Sequence, residues 1–280
     1  MTTARKDLIC TEEAKYYHVM SRCVRRAYLC GEDDKTGKNF DHRKEWLLKR
    51  LRALAAIFAI KVCAYSIMGN HYHLVLFIDT ETAASWSDEE VAKRWKTQFP
   101  HGTRPTTQEG VSDEDIWRER LSSISWFMRC LNEHIARRAN SEDKVTGRFW
   151  EGRFKSQALI DESALLACMA YVDLNPIRAG VAGTPEDSTF TSIRARILAH
   201  WENTGQKEAI AKASVEGKAS QTNTEIQTAA ELMEFRLIGP IPNHGPTRVN
   251  FLPVDYEQYL NLVDLTGRSL RPGKKGSVSE

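Results

Sequence analysis

His71 and His73 stand one residue apart inside Met68-Gly69-Asn70-His71-Tyr72-His73-Leu74-Val75-Leu76-Phe77, where a turn signal runs straight into an apolar strand. Successive strand side chains point to opposite faces, so both imidazoles project from one face, roughly 7 Å apart at the rise of a strand. Imidazole is a common metal ligand, and a pair at that spacing can grip one cation. Tyr72, Leu74 and Leu76 share the other face, as in a strand whose back lies on a core and whose front is available for chemistry. Taken alone, a His-x-His pair is more often two ordinary polar strand positions, so other residues must decide between the readings.

About a hundred residues on, Ser163-Ala164-Leu165-Leu166-Ala167-Cys168-Met169-Ala170-Tyr171-Val172-Asp173-Leu174-Asn175-Pro176-Ile177-Arg178-Ala179-Gly180 reads as a short helix. Asp161 or Ser163 can cap its start, and Pro176 forces its end because the residue before a proline is pushed out of the helical region. Tyr171 and Asn175 are four apart, which on a helix puts a phenol and a carboxamide oxygen on one face. A core or rim aromatic is the competing reading for Tyr171.

Together the two stretches resemble the single-tyrosine HUH transposases, especially their REP-associated tyrosine transposase (IS200-like) branch, over roughly residues 10 to 195. The order of the motifs, their separation and the Asn175-Pro176-Ile177-Arg178-Ala179-Gly180 ending all coincide. Gly69 stands where the family usually has proline, and either suits a turn. Phe149-Trp150-Glu151-Gly152-Arg153-Phe154 is a looser version of the family's Trp-Gln-x-Arg-Phe run. The resemblance implies that His71, His73 and Asn175 hold a divalent cation, Mg²⁺ or Mn²⁺, and that Tyr171 is the nucleophile. It implies a metal-dependent transesterase that cleaves and rejoins single-stranded DNA through a 5′-phosphotyrosine, with a hairpin as recognition element. Two alternatives stay open: a phosphodiesterase or nuclease that uses water, and a non-catalytic hairpin-binding regulator.

Phe149, Trp150 and Phe154 alternate with basic side chains, a pattern that can stack bases and touch phosphates, while Phe149 and Phe154 can instead simply plug the edge of a sheet. Arg22, Arg148, Trp150, Arg153, Lys155 and Arg178 are the expected DNA contacts. The chain is almost neutral, with 39 Lys and Arg against 37 Asp and Glu. Its charge is nevertheless uneven: Arg22, Arg25 and Arg26, then Lys49, Arg50 and Arg52, then a basic run from Arg129 to Lys155, with acid pooled between Asp88 and Asp115. No apolar run is long enough to cross a bilayer and the first residues are not a secretion signal, so a cytoplasmic protein is expected, as monomer or homodimer. Six cysteines without a Cys-x-x-Cys pair argue against a zinc knuckle and read as buried or idle thiols.

These residues need a frame. Tyr16–Ser21 reads as a strand, 43–58 as an amphipathic helix, and 60–68 and 71–78 as strands of a hairpin turning at Gly69-Asn70. Residues 80–115 read as a surface insertion with one short helix near 89–98, residues 116–139 as one long helix, and 155–160 as a strand before the tyrosine helix. Strand-helix-strand-strand-helix-strand is the ferredoxin-like (RRM-like) α+β order, an antiparallel sheet with helices. The expected division is a catalytic domain over 1–183 and a helical, partly irregular C-terminal extension over 184–280. That extension has a helix near 189–201, a polar stretch over 203–227, a Pro/Gly-rich segment at 239–242, a docking helix after Leu252, and a basic tip at Arg271, Lys274 and Lys275.

Overall fold

The computed structural model describes residues 9, 14–24, 29–33, 36–102, 110–203, 205, 240–241, 252–269 and 276–278. Cys10, Arg25, Arg26, most of the polar 203–227 stretch, and the basic tip at Arg271, Lys274 and Lys275 lie outside them.

The elements run β1 (Tyr16–Arg22), α1 (His42–Ile57), β2 (Ile60–Ile67), β3 (His71–Ile78), α2 (Thr80–Ser85), α3 (Asp88–Gln98), α4 (Asp113–Leu121), α5 (Ile124–Asp143), β4 (Lys155–Leu159), α6 (Glu162–Asp173), α7 (Asn175–Arg178), α8 (Ser192–Asn203), β5 (Pro240–Ile241), β6 (Leu252–Asp255) and α9 (Tyr256–Arg268). The first four strands form one sheet in the order β2-β3-β1-β4. That order on a βαββαβ chain is the ferredoxin-like arrangement, an α+β fold as the sequence pattern predicts. The β2–β3 hairpin closes where expected, with the Met68 N–H donating to the His71 carbonyl at 2.9 Å across Gly69-Asn70.

The chain divides into two compact units, Met1–Lys61 with Leu76–Ala158, and Val62–Val75 with Leu159–Glu280. In the first, Leu47, Leu51 and Leu54 on α1 and Phe127, Leu131 and Ile135 on α5 are fully buried, and α1 packs on α5. Phe58 meets Phe127 edge-on with ring centres 5.5 Å apart. Arg43 is fully buried yet satisfied: its guanidinium bonds Glu142 at 2.7 Å and Asp143, and lies 4.2 Å from the Phe40 ring centre. None of the five described cysteines is in a disulfide.

Two expectations need correction in this unit. The segment after β3 holds two helices, α2 and α3, and it is no loose surface insertion. Trp95 of α3 is 2% exposed among Trp117, Trp126 and Phe99, with ring centres 4.4–5.9 Å away. The long helix over 116–139 is in fact two. Ser122 closes α4 by donating its N–H and its hydroxyl to the Arg118 carbonyl, and Ser123 turns extended (φ −94°, ψ 118°) to open α5. Serine competes with the helix for its own backbone, so a Ser-Ser step breaks a helix without Gly or Pro.

In the second unit the C-terminal residues share a core with the hairpin and the tyrosine helix. The Ile67 N–H donates to the Phe190 carbonyl at 3.2 Å, Ser66 bridges Thr191, and α9 packs on α6. β5 and β6 pair in parallel beside α9. The described residues after 183 thus fall in the same compact unit as Tyr171.

Candidate active site around Tyr171

Asp161 caps α6, accepting the Ala164 N–H at 2.7 Å. Leu165, Met169, Ala170 and Val172 are buried, while Tyr171 stands out from this apolar helix at 41% exposure. Pro176 acts as the sequence implies: α6 stops at Asp173, Leu174 caps it, and Asn175 opens the separate turn α7. Asn175 is half-buried there.

Both faces of β3 are covered more fully than an open front would allow. Tyr72, Leu74, Val75 and Leu76 are fully buried and His73 is 3% exposed, which leaves His71 half-buried at the hairpin end. The rings of His71 and His73 lie 5.0 Å apart at 85°, and those of His73 and Tyr171 5.7 Å apart at 85°. The structure thus gathers two imidazoles and one phenol, with Asn175 on the turn that follows. With ligand bonds of about 2.1 Å, imidazoles in adjacent positions of one coordination sphere have ring centres roughly 4.6–5 Å apart. The pair fits that requirement. Among the described residues no cluster of three or more His, Cys, Asp or Glu could hold a metal ion.

Asn70 was not foreseen as part of this group. Its carboxamide oxygen lies 2.6 Å from the His71 Nδ1. A carboxamide oxygen only accepts, so Nδ1 is the donor in this contact, which in a neutral imidazole leaves on Nε2 the lone pair that a metal needs. The turn residue that shapes the hairpin also fixes the imidazole's tautomer.

Asp173, two residues from Tyr171, faces the other way. It is fully buried and takes hydrogen bonds from the Ser192 hydroxyl, the Ile193 N–H at 2.9 Å and the Tyr259 hydroxyl at 2.5 Å, with Arg196 at 3.5 Å. Burial pushes its carboxyl above the usual range, against the opposing pull of Arg196 and these donors. Arg178 holds the next turn, donating to the Thr266 and Ser269 carbonyls at the end of α9. Its 7% exposure and these two bonds place it in the fold, which corrects the expectation that it touches DNA.

The remaining expected DNA contacts belong to the first unit. Arg22, Arg148, Arg153 and Lys155 are exposed. Trp150 is not: it is 8% exposed, its indole N–H donates to the Asn132 carbonyl at 2.9 Å, and it bridges Cys23. A buried, anchored indole cannot offer its face to a base, so Trp150 is a core plug like Phe149 and Phe154. Alternating aromatic and basic residues look the same in sequence whichever set turns inward.

No protein-family model matches the chain, and no curated protein matches it. Among solved structures it is similar to a REP-associated tyrosine transposase bound to a REP hairpin, at 12% identity and a TM-score of 0.43, covering 70% of this chain and 86% of that one. No helix of the described residues is long and apolar enough to cross a membrane.

Proposed function

We propose that the chain is a metal-dependent DNA transesterase acting on single-stranded DNA beside a hairpin, with Tyr171 as nucleophile. The observation that carries this reading is the exposed phenol of Tyr171 with its ring 5.7 Å from that of His73, itself 5.0 Å from that of His71. His71 through Nε2, His73 and the Asn175 oxygen are the residues to hold Mg²⁺ or Mn²⁺. When bound, the cation would polarise the scissile phosphate and stabilise the departing 3′ oxygen. Tyr171 forms the Oη–P bond as the P–O3′ bond breaks, its proton passing to solvent and the 3′ oxygen leaving as a hydroxyl. The product is a 5′-phosphotyrosine, which conserves the phosphodiester for attack by another 3′-OH and needs no nucleotide cofactor.

The test is incubation of the protein with end-labelled single-stranded oligonucleotides bearing hairpins and Mn²⁺, followed by denaturing electrophoresis. A covalent adduct is expected from the native chain and none from Tyr171→Phe, which keeps the ring. Calorimetry should show His71→Ala and His73→Ala weakening Mn²⁺ binding more than Asn175→Ala, since imidazole is the stronger ligand. Cleavage that persists in Tyr171→Phe would replace this reading with a water-using phosphodiesterase. Hairpin binding without any cleavage would replace it with a regulator.

A further inference from the structure

The turn that carries Asn175 is held by residues far from it in sequence. α7 is a single turn of four residues, too short to persist on its own backbone hydrogen bonds. Arg178 ties it to the end of α9, and residues 276–278 make a second set of contacts with it. Gly276 lies against the Ile177 carbonyl and Gly180, so closely that a methyl group on it would run into that carbonyl oxygen. Val278 is 8% exposed, donates its N–H to the Gly267 carbonyl at 3.0 Å, and seats its side chain in the space that a Cβ of Gly267 would fill.

Gly267 is not explained by its own helix. It lies inside α9, where glycine is about 1 kcal/mol less favourable than alanine. What it provides is the missing Cβ: a methyl group there would strike the Val278 side chain and come to 3.0 Å from that of Leu174. Helix propensity is given up at this position for close packing of α9 on Leu174 and Val278.

These contacts bracket one functional side chain. Leu174 precedes Asn175, Ile177 follows it by two, and both are buried. A shift at either residue carries the carboxamide between them along with it. Tyr171 stands a turn earlier on α6, whose end is fixed separately through the buried Asp173. Pressure from residues 276–278 therefore falls first on the turn of Asn175 and only then on the helix of the phenol.

We propose that Gly276 and Val278, seated on Gly267, are positioning residues for Asn175, holding α7 at the setting in which its carboxamide joins His71 and His73 as a metal ligand. The inference rests on Asn175 being such a ligand and is independent of the role of Tyr171. It is tested on the full chain by calorimetric titration with Mn²⁺; His71 and His73, the stronger ligands, remain in every variant, so binding stays measurable. Gly276→Ala should weaken Mn²⁺ binding about tenfold, the lower end of what losing a ligand's support costs, and by no more than Asn175→Ala does. Added to Asn175→Ala it should weaken binding no further, because the side chain through which it acts is gone. Gly267→Ala should weaken binding in the same way although alanine favours α9, and Val278→Ala in that same chain, which removes the methyl groups that the new Cβ strikes, should restore it. Native or tighter affinity in both glycine variants would overturn the proposal. So would a loss that is undiminished in the Asn175→Ala background, which would make these residues general stabilisers of the unit. Native affinity in Asn175→Ala itself would remove the ligand assignment and the proposal with it, a failure told apart because it needs no change at Gly267, Gly276 or Val278.

Discussion

Replacing Tyr259 with phenylalanine removes one oxygen from the chain, 86 residues from the carboxylate it serves. The hydroxyl donates to Asp173 Oδ2 at 2.5 Å with both residues fully buried, and without it that oxygen keeps, among the described residues, Arg196 at 3.5 Å. A buried hydrogen bond to a charged group is worth about 1.5–3 kcal/mol. That is a fall of roughly 10- to 150-fold in the ratio of closed to open states for the elements it joins. Asp173→Asn keeps the volume but strips Arg196 of its counter-charge, and breaking a buried pair from one side costs about 3–5 kcal/mol. A chain of two compact units is not a safe two-state system, so one global midpoint is the wrong measure. Hydrogen exchange read peptide by peptide is the right one. Tyr259→Phe should speed exchange in α6 and α9 by the stated factor and leave α1 and α5 nearly unchanged, with Asp173→Asn the more severe of the two. Unchanged protection in α6, or an ordering in which Asp173→Asn is the milder, would refute the view that this carboxylate anchors the tyrosine helix.

Trp150→Ala should destabilise the first unit by about 3–5 kcal/mol in urea unfolding, because a buried indole and its bond to Asn132 both disappear; a purely DNA-contacting Trp150 would leave stability unchanged. Asp79 supplies a pH dependence. Burial pushes its carboxyl up, but the Lys61 ammonium at 2.5 Å and the Thr82 hydroxyl and N–H outweigh this and hold it below its ordinary value. A depressed folded-state value means that its stabilisation is present above the ordinary carboxyl value of 3.8 and is lost as pH falls through the lower folded value. Asp79→Asn should therefore flatten the acid limb of the stability–pH curve, and an acid limb that is unaltered would refute the assignment.

The parts of the site written in local spacing are legible in the sequence. Gly69-Asn70 between two apolar runs fixes the hairpin, alternation puts His71 and His73 on one face, and Asp161 with Pro176 bounds α6. What the sequence hides depends on distant partners. Asp173 reads in sequence as one more position of the tyrosine helix, and nothing in its neighbours announces the Ser192, Arg196 and Tyr259 that surround it. Trp150 reads as a stacking platform because inward and outward aromatics have the same local composition, and only the Asn132 carbonyl settles the direction. The Ser122-Ser123 break lies inside a continuous helical period that contains neither Gly nor Pro, so periodicity runs straight over it.

The anchoring of Asp173 by Tyr259 also puts the assembly of the site on a clock. A growing chain emerges at roughly 5–20 residues per second, so the 86 residues between the two take about 4–17 s to make. During that interval the histidines and the tyrosine already exist as sequence, while the carboxylate beneath the tyrosine helix still lacks its last donor. The helix that carries Tyr171 is thus secured in part by residues made long after it, and a chain cut short before Tyr259 carries His71, His73 and Tyr171 without that hydrogen bond to Asp173.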